Sequence, residues 1–323
     1  MSDLFSALKD NLTKGKKKKI VFPEATDERI LLAAGRLANE SLVTPVLIGK
    51  RNEVVELAKE LNADISECEI IDPADYVKWD EMVESFVERR NGRVERKKAE
   101  HVLIDANYFG TMLVHMNEAD GLVSGAAHST SDTVRPALQI IKTKEGVRKT
   151  SGVFVMVRND EKYMFADCAI NIAPTSEDLA EIAIESARTA KLFNVDPRVA
   201  MLSFSTKGSA KSEETERVIE AVKYAKEREP ELIIDGEFQF DAAFVPSVAA
   251  KKAPNSTIKG DATVFVFPSL EAGNIGYKIT ERLGGFEAVG PILQGLNKPV
   301  NDLSRGCSEE DVYKLALITA AQS

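Results

Sequence analysis

Val153-Phe-Val-Met-Val157, Arg158-Asn-Asp160 and Tyr163-Met-Phe165 read as two apolar strands joined by a polar turn, a hairpin and not a crossover. Outside the segment from Ser151 to Ile172 the rhythm is different. Ile20-Val-Phe22, Pro45-Val-Leu-Ile48, Gly121-Leu-Val123, Ala200-Met-Leu-Ser203, Leu232-Ile-Ile234 and Thr263-Val-Phe-Val-Phe267 read as short buried strands. Between most of them, residues 27–40, 53–61, 176–193, 213–228 and 309–321 carry apolar side chains at helical spacing, separated by charged faces. Strands alternating with helices imply mainly parallel sheets covered by helices on both sides. The hairpin breaks that pattern just after Lys142-Thr-Lys-Glu-Gly146, so an α/β fold with a domain boundary at residue 147 is expected. A chain of 323 residues also exceeds the usual size of a single core.

Hydrophobic residues make up 44% of the chain and charged residues 29%, the proportions of an ordinary globular protein. No apolar run approaches the roughly 20 residues that cross a bilayer, and Met1-Ser-Asp-Leu lacks the apolar core of a signal peptide. A cytoplasmic protein with no membrane partner is the expectation. The formal charge of -9 argues against nucleic acid, which needs a basic footprint. The basic run Lys14-Gly15-Lys16-Lys17-Lys18-Lys19 reads as a solvated helix end. Cys68, Cys168 and Cys307 are too few and too scattered for a disulfide framework or a four-ligand zinc site, and His101, His115 and His128 form no metal-binding pattern. No metal is expected.

The C-terminal run Asp302-Leu-Ser304-Arg305-Gly-Cys307-Ser-Glu-Glu-Asp311 gathers a hydroxyl, a guanidinium and a thiol before a helix that opens at Ser308. Helix N-termini attract anions through unpaired N–H groups and the positive dipole end. Ser308 with an acid three residues later also fits a helix cap, which competes with a catalytic role for Asp311. In Ser124-Gly-Ala-Ala-His-Ser-Thr-Ser-Asp132 the backbone and the hydroxyls of Ser129 and Thr130 could receive an anion, but capping would use the same groups. Ser205-Thr-Lys-Gly-Ser-Ala-Lys-Ser212 lacks the glycine spacing of a nucleotide phosphate loop, and no dinucleotide fingerprint is present. An acidic protein that binds anions needs local cations, and arginine, with its fixed bidentate fork, is the natural supply.

Gly273-Asn-Ile-Gly-Tyr-Lys278, Arg282-Leu-Gly-Gly285 and the run Gly290-Pro-Ile-Leu-Gln-Gly-Leu-Asn-Lys-Pro-Val-Asn301 leading into Ser304-Arg-Gly306 together resemble the C-terminal signature of phosphate acetyltransferases, or phosphotransacetylases. Val21-Phe-Pro-Glu24, Ser124–Asp132, Ser203-Phe-Ser-Thr-Lys-Gly-Ser-Ala210 and Asp235-Gly-Glu-Phe-Gln-Phe-Asp-Ala242 agree with it, so the resemblance spans nearly the whole chain. It implies a two-domain, three-layer αβα architecture like that of isocitrate and isopropylmalate dehydrogenases, with the active site in the interdomain cleft. The last helix would return to the first domain, giving residues 1–147 with 301–323 and residues 148–300.

The implied reaction is reversible acetyl transfer between acetyl phosphate and coenzyme A, with coenzyme A as substrate, no tightly bound cofactor and a homodimeric enzyme. Asp311 matches the family's base, Arg305 the residue that binds acetyl phosphate and stabilises charge, and Ser304 a hydrogen-bond donor to the oxyanion. Arg282, Arg135, Arg90, Lys278 and Cys307 match substrate-binding positions, although Arg89 or Arg93 could replace Arg90 in that match. A thiol of pKa about 8.5 needs a base, and a carboxylate of about 3.9 serves only if burial raises it or the thiol is held against it. Direct attack in a ternary complex is preferred to a covalent acetyl-enzyme, because Ser304 lacks a nucleophile elbow and Cys307, although beside Arg305 at a helix start it could be an activated thiol, is of a residue type that is often just small and buried. A phosphate butyryltransferase is the nearest alternative, and a decarboxylating dehydrogenase of similar architecture ranks behind it.

Overall fold

The computed structural model describes residues 3–323. The chain opens with α1 (Asp3–Lys14), β1 (Lys18–Phe22), α2 (Glu28–Asn39), β2 (Val43–Ile48), α3 (Arg51–Glu60), β3 (Glu69–Ile71), α4 (Trp79–Arg89), α5 (Arg96–Val102), α6 (Ala106–His115), β4 (Gly121–Ser124) and α7 (Thr130–Pro136). It continues through β5 (Ser151–Arg158), β6 (Glu161–Ala166), α8 (Ser176–Leu192), β7 (Arg198–Leu202), α9 (Glu213–Arg228), β8 (Ile233–Phe238), α10 (Phe240–Phe244), α11 (Pro246–Lys252), β9 (Val264–Val266), α12 (Leu270–Arg282) and β10 (Glu287–Gln294). β11 (Val300–Asp302) and α13 (Glu309–Gln322) close it.

These elements fall into two compact units, one running to Lys144 and resumed by Leu296–Ser323, the other Glu145–Gly295. The divisions lie at 144 and 295, where 147 and 300 were expected. The reason is local. Thr143 and Leu296 form an isolated antiparallel bridge, and the Asn297 side-chain amide donates to the carbonyls of Ile141 at 3.2 Å and Thr143 at 2.7 Å, so the returning chain joins the first unit before β11 begins.

In the first unit the strand order is β11-β4-β1-β2-β3, every pair parallel. Ile20, Val21 and Phe22 of β1 are all fully buried, as a strand covered on both faces requires. α2 forms because Asp27 caps it by accepting from Arg29 N–H while Ile30, Leu31, Ala34 and Leu37 bury one face. α13 is capped by Ser308 and buries Val312, Leu315, Ala316, Ile318 and Thr319 in the same unit.

The second unit has the order β10-β5-β6-β9-β7-β8. The expected hairpin is present: β5 and β6 pair antiparallel from Val153 opposite Ala166 to Arg158 opposite Glu161, and the turn between them places Asn159 at φ 54°. β6, β9, β7 and β8 are mutually parallel. β10 adds antiparallel to β5, with a register shift between Val289 and Ile292 at Gly290-Pro291. A proline cannot donate to the ladder, so the bulge is where the strand accommodates it.

Candidate active site

The order β11-β4-β1 sets the carboxyl ends of three neighbouring parallel strands side by side, and in parallel α/β sheets ligands bind outside such ends. Their loops are residues 23–27 after β1, 125–129 after β4 and 303–308 after β11. Leu303 N–H donates to the Ser124 carbonyl at 2.6 Å, which joins the last two. Gly125 makes the approach possible: at φ 108° a Cβ there would lie 2.5 Å from Asp302 Oδ1 and 2.7 Å from the Leu303 carbonyl.

Two residues that pattern reading did not single out hold the three loops. Glu24 is buried, and its Oε2 accepts from the N–H groups of Gly125 (3.0 Å) and Ala126 (2.9 Å) while Oε1 accepts from Ala127 (2.8 Å) and His128 (2.9 Å). The His128 ring adds a fifth contact, Nδ1 to Oε1 at 2.7 Å. Arg29 donates through Nη1 to the carbonyls of Arg305 (2.8 Å) and Cys307 (3.0 Å) and through Nη2 to that of Ala126 (2.8 Å). Asp27 braces the same guanidinium with contacts of 3.0 and 2.7 Å, and this pairing raises the Arg29 pKa and lowers that of Asp27. The sequence signal was an acid closing an apolar strand just ahead of a helix cap, in Val21-Phe-Pro-Glu24 and Asp27.

The backbone of residues 125–128 is therefore already committed to Glu24 and is not open to an external anion. Ser129 Oγ donates to Asp132 Oδ2 at 2.7 Å in a capping box, so its hydroxyl serves the start of α7. Thr130 is exposed, and its hydroxyl bears on Asp302. Asp302 is 2% exposed, its Oδ1 has no hydrogen-bond partner among the described residues, and burial pushes its carboxyl up to about 6 against the opposing effect of Thr130.

Beyond Asp302 the chain turns outward. Ser304 and Arg305 are exposed, the Ser304 hydroxyl accepting from Gly306 N–H at 3.3 Å, and among the described residues the Arg305 guanidinium has no hydrogen-bond or ion-pair partner. Cys307 is tucked in, and burial pushes its thiol up to about 11 although Arg29, 3.6 Å from the sulfur, pulls the other way. Asp311 Oδ2 accepts from Ser308 N–H and from Ser308 Oγ, each at 2.8 Å, which is the capping geometry. Its Oδ1 has no hydrogen bond among the described residues.

A cationic patch lies elsewhere on this unit. Arg90 and Arg135 both act on Tyr108, whose hydroxyl burial pushes upward and these two arginines pull down. Burial, reinforced by Arg89, Arg90 and Arg93, depresses the Lys142 ammonium. The three neighbouring arginines differ in use. Arg89 donates to the carbonyls of Ile140 and Ile141 in the π-type turn Ala137–Ile141, Arg93 is exposed, and Arg90 keeps a buried Nε with no hydrogen-bond partner among the described residues.

Lys278 and Arg282 belong to the second unit, on one face of α12 at a spacing of four residues. Lys278 Nζ donates to Asn274 Oδ1 at 2.9 Å, and Arg282 pairs with Glu281 at 3.2 Å with 81% of its side chain exposed. Gly273 and Asn274 anchor this helix: a Cβ at Gly273 would meet the Asp167 carbonyl at 2.2 Å, and Asn274 donates to the Cys168 carbonyl. In the loop after β7, Lys207 Nζ donates to Asp235 Oδ1 at 2.6 Å and to the Gly236 carbonyl at 2.7 Å, while buried Glu237 accepts from Ser205 Oγ and Gly208 N–H.

Residues 4–320 match the family model described as phosphate acetyl/butaryl transferase. A phosphate acetyltransferase of Bacillus subtilis (strain 168) is 69% identical over 323 residues, the whole of both chains. A crystal structure of a phosphotransacetylase from Streptococcus pyogenes, 58% identical, superposes with a TM-score of 0.97 over 100% of this chain and 99% of that one. At 14% identity the likeness is of fold alone: a protein from Salmonella typhimurium, named provisionally as a 4-hydroxythreonine-4-phosphate dehydrogenase, gives a TM-score of 0.57 over 95% and 99% of the two chains.

Proposed function

We propose that this chain, which belongs to the phosphate acetyl/butaryl transferase family, carries acetyl between acetyl phosphate and coenzyme A by direct attack of the coenzyme's thiol. The observation that carries the reading is full-length identity to an acetyltransferase, joined to a loop with an unpaired arginine, an exposed serine and a half-free carboxylate. The enzyme is an acyltransferase.

Arg305 receives the phosphoryl group of acetyl phosphate, where a planar fork with no internal partner can bind two oxygens. The thiol sulfur forms a bond to the carbonyl carbon, its proton passes to Asp311 Oδ1, and the tetrahedral oxyanion collapses with cleavage of the carbon–oxygen bond to phosphate. Arg305 and the Ser304 hydroxyl stabilise the charge that develops. Cys307, a protonated thiol at neutral pH, shapes the loop and does not attack. Arg90, Arg135 and Lys142 supply a cationic surface for the coenzyme's phosphates, and Lys278 and Arg282 are assigned to substrate binding by their match to the family's positions. Ser129 and Thr130 act through the start of α7.

A homodimer in the cytoplasm is part of this reading. Ile275, Ile279 and Leu283 follow one another at a spacing of four and are 58, 53 and 85% exposed, an apolar stripe that a second copy would cover. No helix among the described residues is long and apolar enough to cross a membrane.

The test mixes the purified chain with coenzyme A and either acetyl or butyryl phosphate and follows thioester formation. Turnover with acetyl phosphate preferred is the expected result. A preference for butyryl phosphate would move the chain to the family's other branch, and no thioester from either would refute the proposal.

A further inference from the structure

We infer that Glu24 is a positioning residue of the transfer loop, an internal anion that fills the backbone nest of residues 125–128 and thereby fixes where Ser304 and Arg305 stand. The inference rests on the acetyltransferase reading and deepens it. Four consecutive N–H groups pointing at one spot form a concavity that ordinarily takes a phosphate or another anion. Here the occupant is the protein's own carboxylate, 2% exposed, with all four amides and the His128 ring within 2.7–3.0 Å. Charge-assisted contacts of this kind are short and strong.

The loop so held is in direct contact with the transfer loop. Gly125 packs on Asp302 and Leu303 with no room for a Cβ, and the Ala126 carbonyl shares the Arg29 guanidinium with the carbonyls of Arg305 and Cys307. A shift of residues 125–128 therefore moves the backbone that carries Arg305. Glu24 touches no reacting atom; it acts through that contact. Because the nest is filled from inside, the substrate's phosphoryl group is left to the unpaired arginine.

Two variants separate positioning from simple support of the fold. E24A empties the nest and leaves four unpaired donors, which a small carboxylate such as formate can refill. E24Q keeps the volume but aims an amide NH2 at two of the donors, and formate has no space to help. Thioester formation and thermal melting are measured for both variants and the parent, with and without formate.

We expect kcat/KM for acetyl phosphate to fall roughly thirtyfold or more in both, with formate restoring about tenfold in E24A alone. The melting temperature of E24Q should stay within about 4 °C of the parent. If E24A does not fold, E24Q decides by the same criterion. Activity within about threefold of the parent in E24Q, or a loss in folded E24A that formate leaves untouched, would overturn the role of Glu24. A parent chain that forms no thioester would instead retire the acetyltransferase reading.

Discussion

Asp311 has two carboxylate oxygens, one seen in the helix cap and the other assigned to proton transfer in the proposed reaction. Oδ2 closes the capping box with Ser308, and Oδ1, which has no hydrogen bond among the described residues, is the proton acceptor in the proposed reaction. The two uses can be separated because asparagine can still accept from Ser308 N–H but is no base. We expect D311N to lose kcat by about 100-fold or more with stability nearly unchanged, and D311A to lose the same activity plus about 0.5–2 kcal/mol of folding free energy. Urea unfolding and steady-state kinetics on the same preparations check this; normal turnover in D311N would leave Asp311 a cap and nothing more. The adjacent arginines at 89 and 90 divide in a similar way. R89Q removes donors to two carbonyls and should cost about 1–3 kcal/mol of stability, whereas R90Q should raise the KM for coenzyme A about tenfold without unfolding cost. An R90Q enzyme with an unaltered KM would take Arg90 out of the substrate surface.

At the scale of elements, β11 ends in a carboxyl that the fold keeps dry. The Asp302 pKa is raised from the ordinary carboxyl value of about 3.9 to about 6, so folding favours its protonated form. Its stabilising contribution is complete below the unfolded value and is lost as pH rises through 6. D302N should then be more stable than the parent at pH 7 by up to about 2–3 kcal/mol, the difference shrinking toward pH 4. Chemical unfolding across that range reads it directly, and a difference that did not change with pH would mean that Asp302 titrates normally. The elements that pattern reading found were those with a clean signal: the apolar runs Ile20–Phe22 of β1 and Val199–Leu202 of β7, the amphipathic α2 and α9, the β5–β6 hairpin. It did not find β10, whose alternation is interrupted by Gly290-Pro291, nor β3 and β11, each three residues long and too short to establish a period. The capping pattern at Ser308 was legible because its spacing is fixed by helix geometry. The commitment of residues 125–128 to Glu24 was not, since the partner lies 101 to 104 residues earlier and only the strand order brings it there.

Across the whole molecule, a net charge of -9 opposes anionic substrates, so binding depends on local cations with few internal partners. Arg305 and Arg135 meet that condition, while most other arginines, such as Arg148 and Arg188, are held in ion pairs. Ser304, Arg305 and Asp311 belong to the first unit, and Lys278 and Arg282 to the second. The roles proposed for these residues come from resemblance, because periodicity says nothing about which side chains meet a substrate. The central claim is that acetyl passes straight from phosphate to sulfur with no acetyl-enzyme at Ser304 or Cys307. It is tested most directly by incubating the enzyme with acetyl phosphate and radiolabelled phosphate, with coenzyme A left out. Direct transfer predicts no label in acetyl phosphate until coenzyme A is added; exchange in its absence would reveal a covalent intermediate and contradict the account.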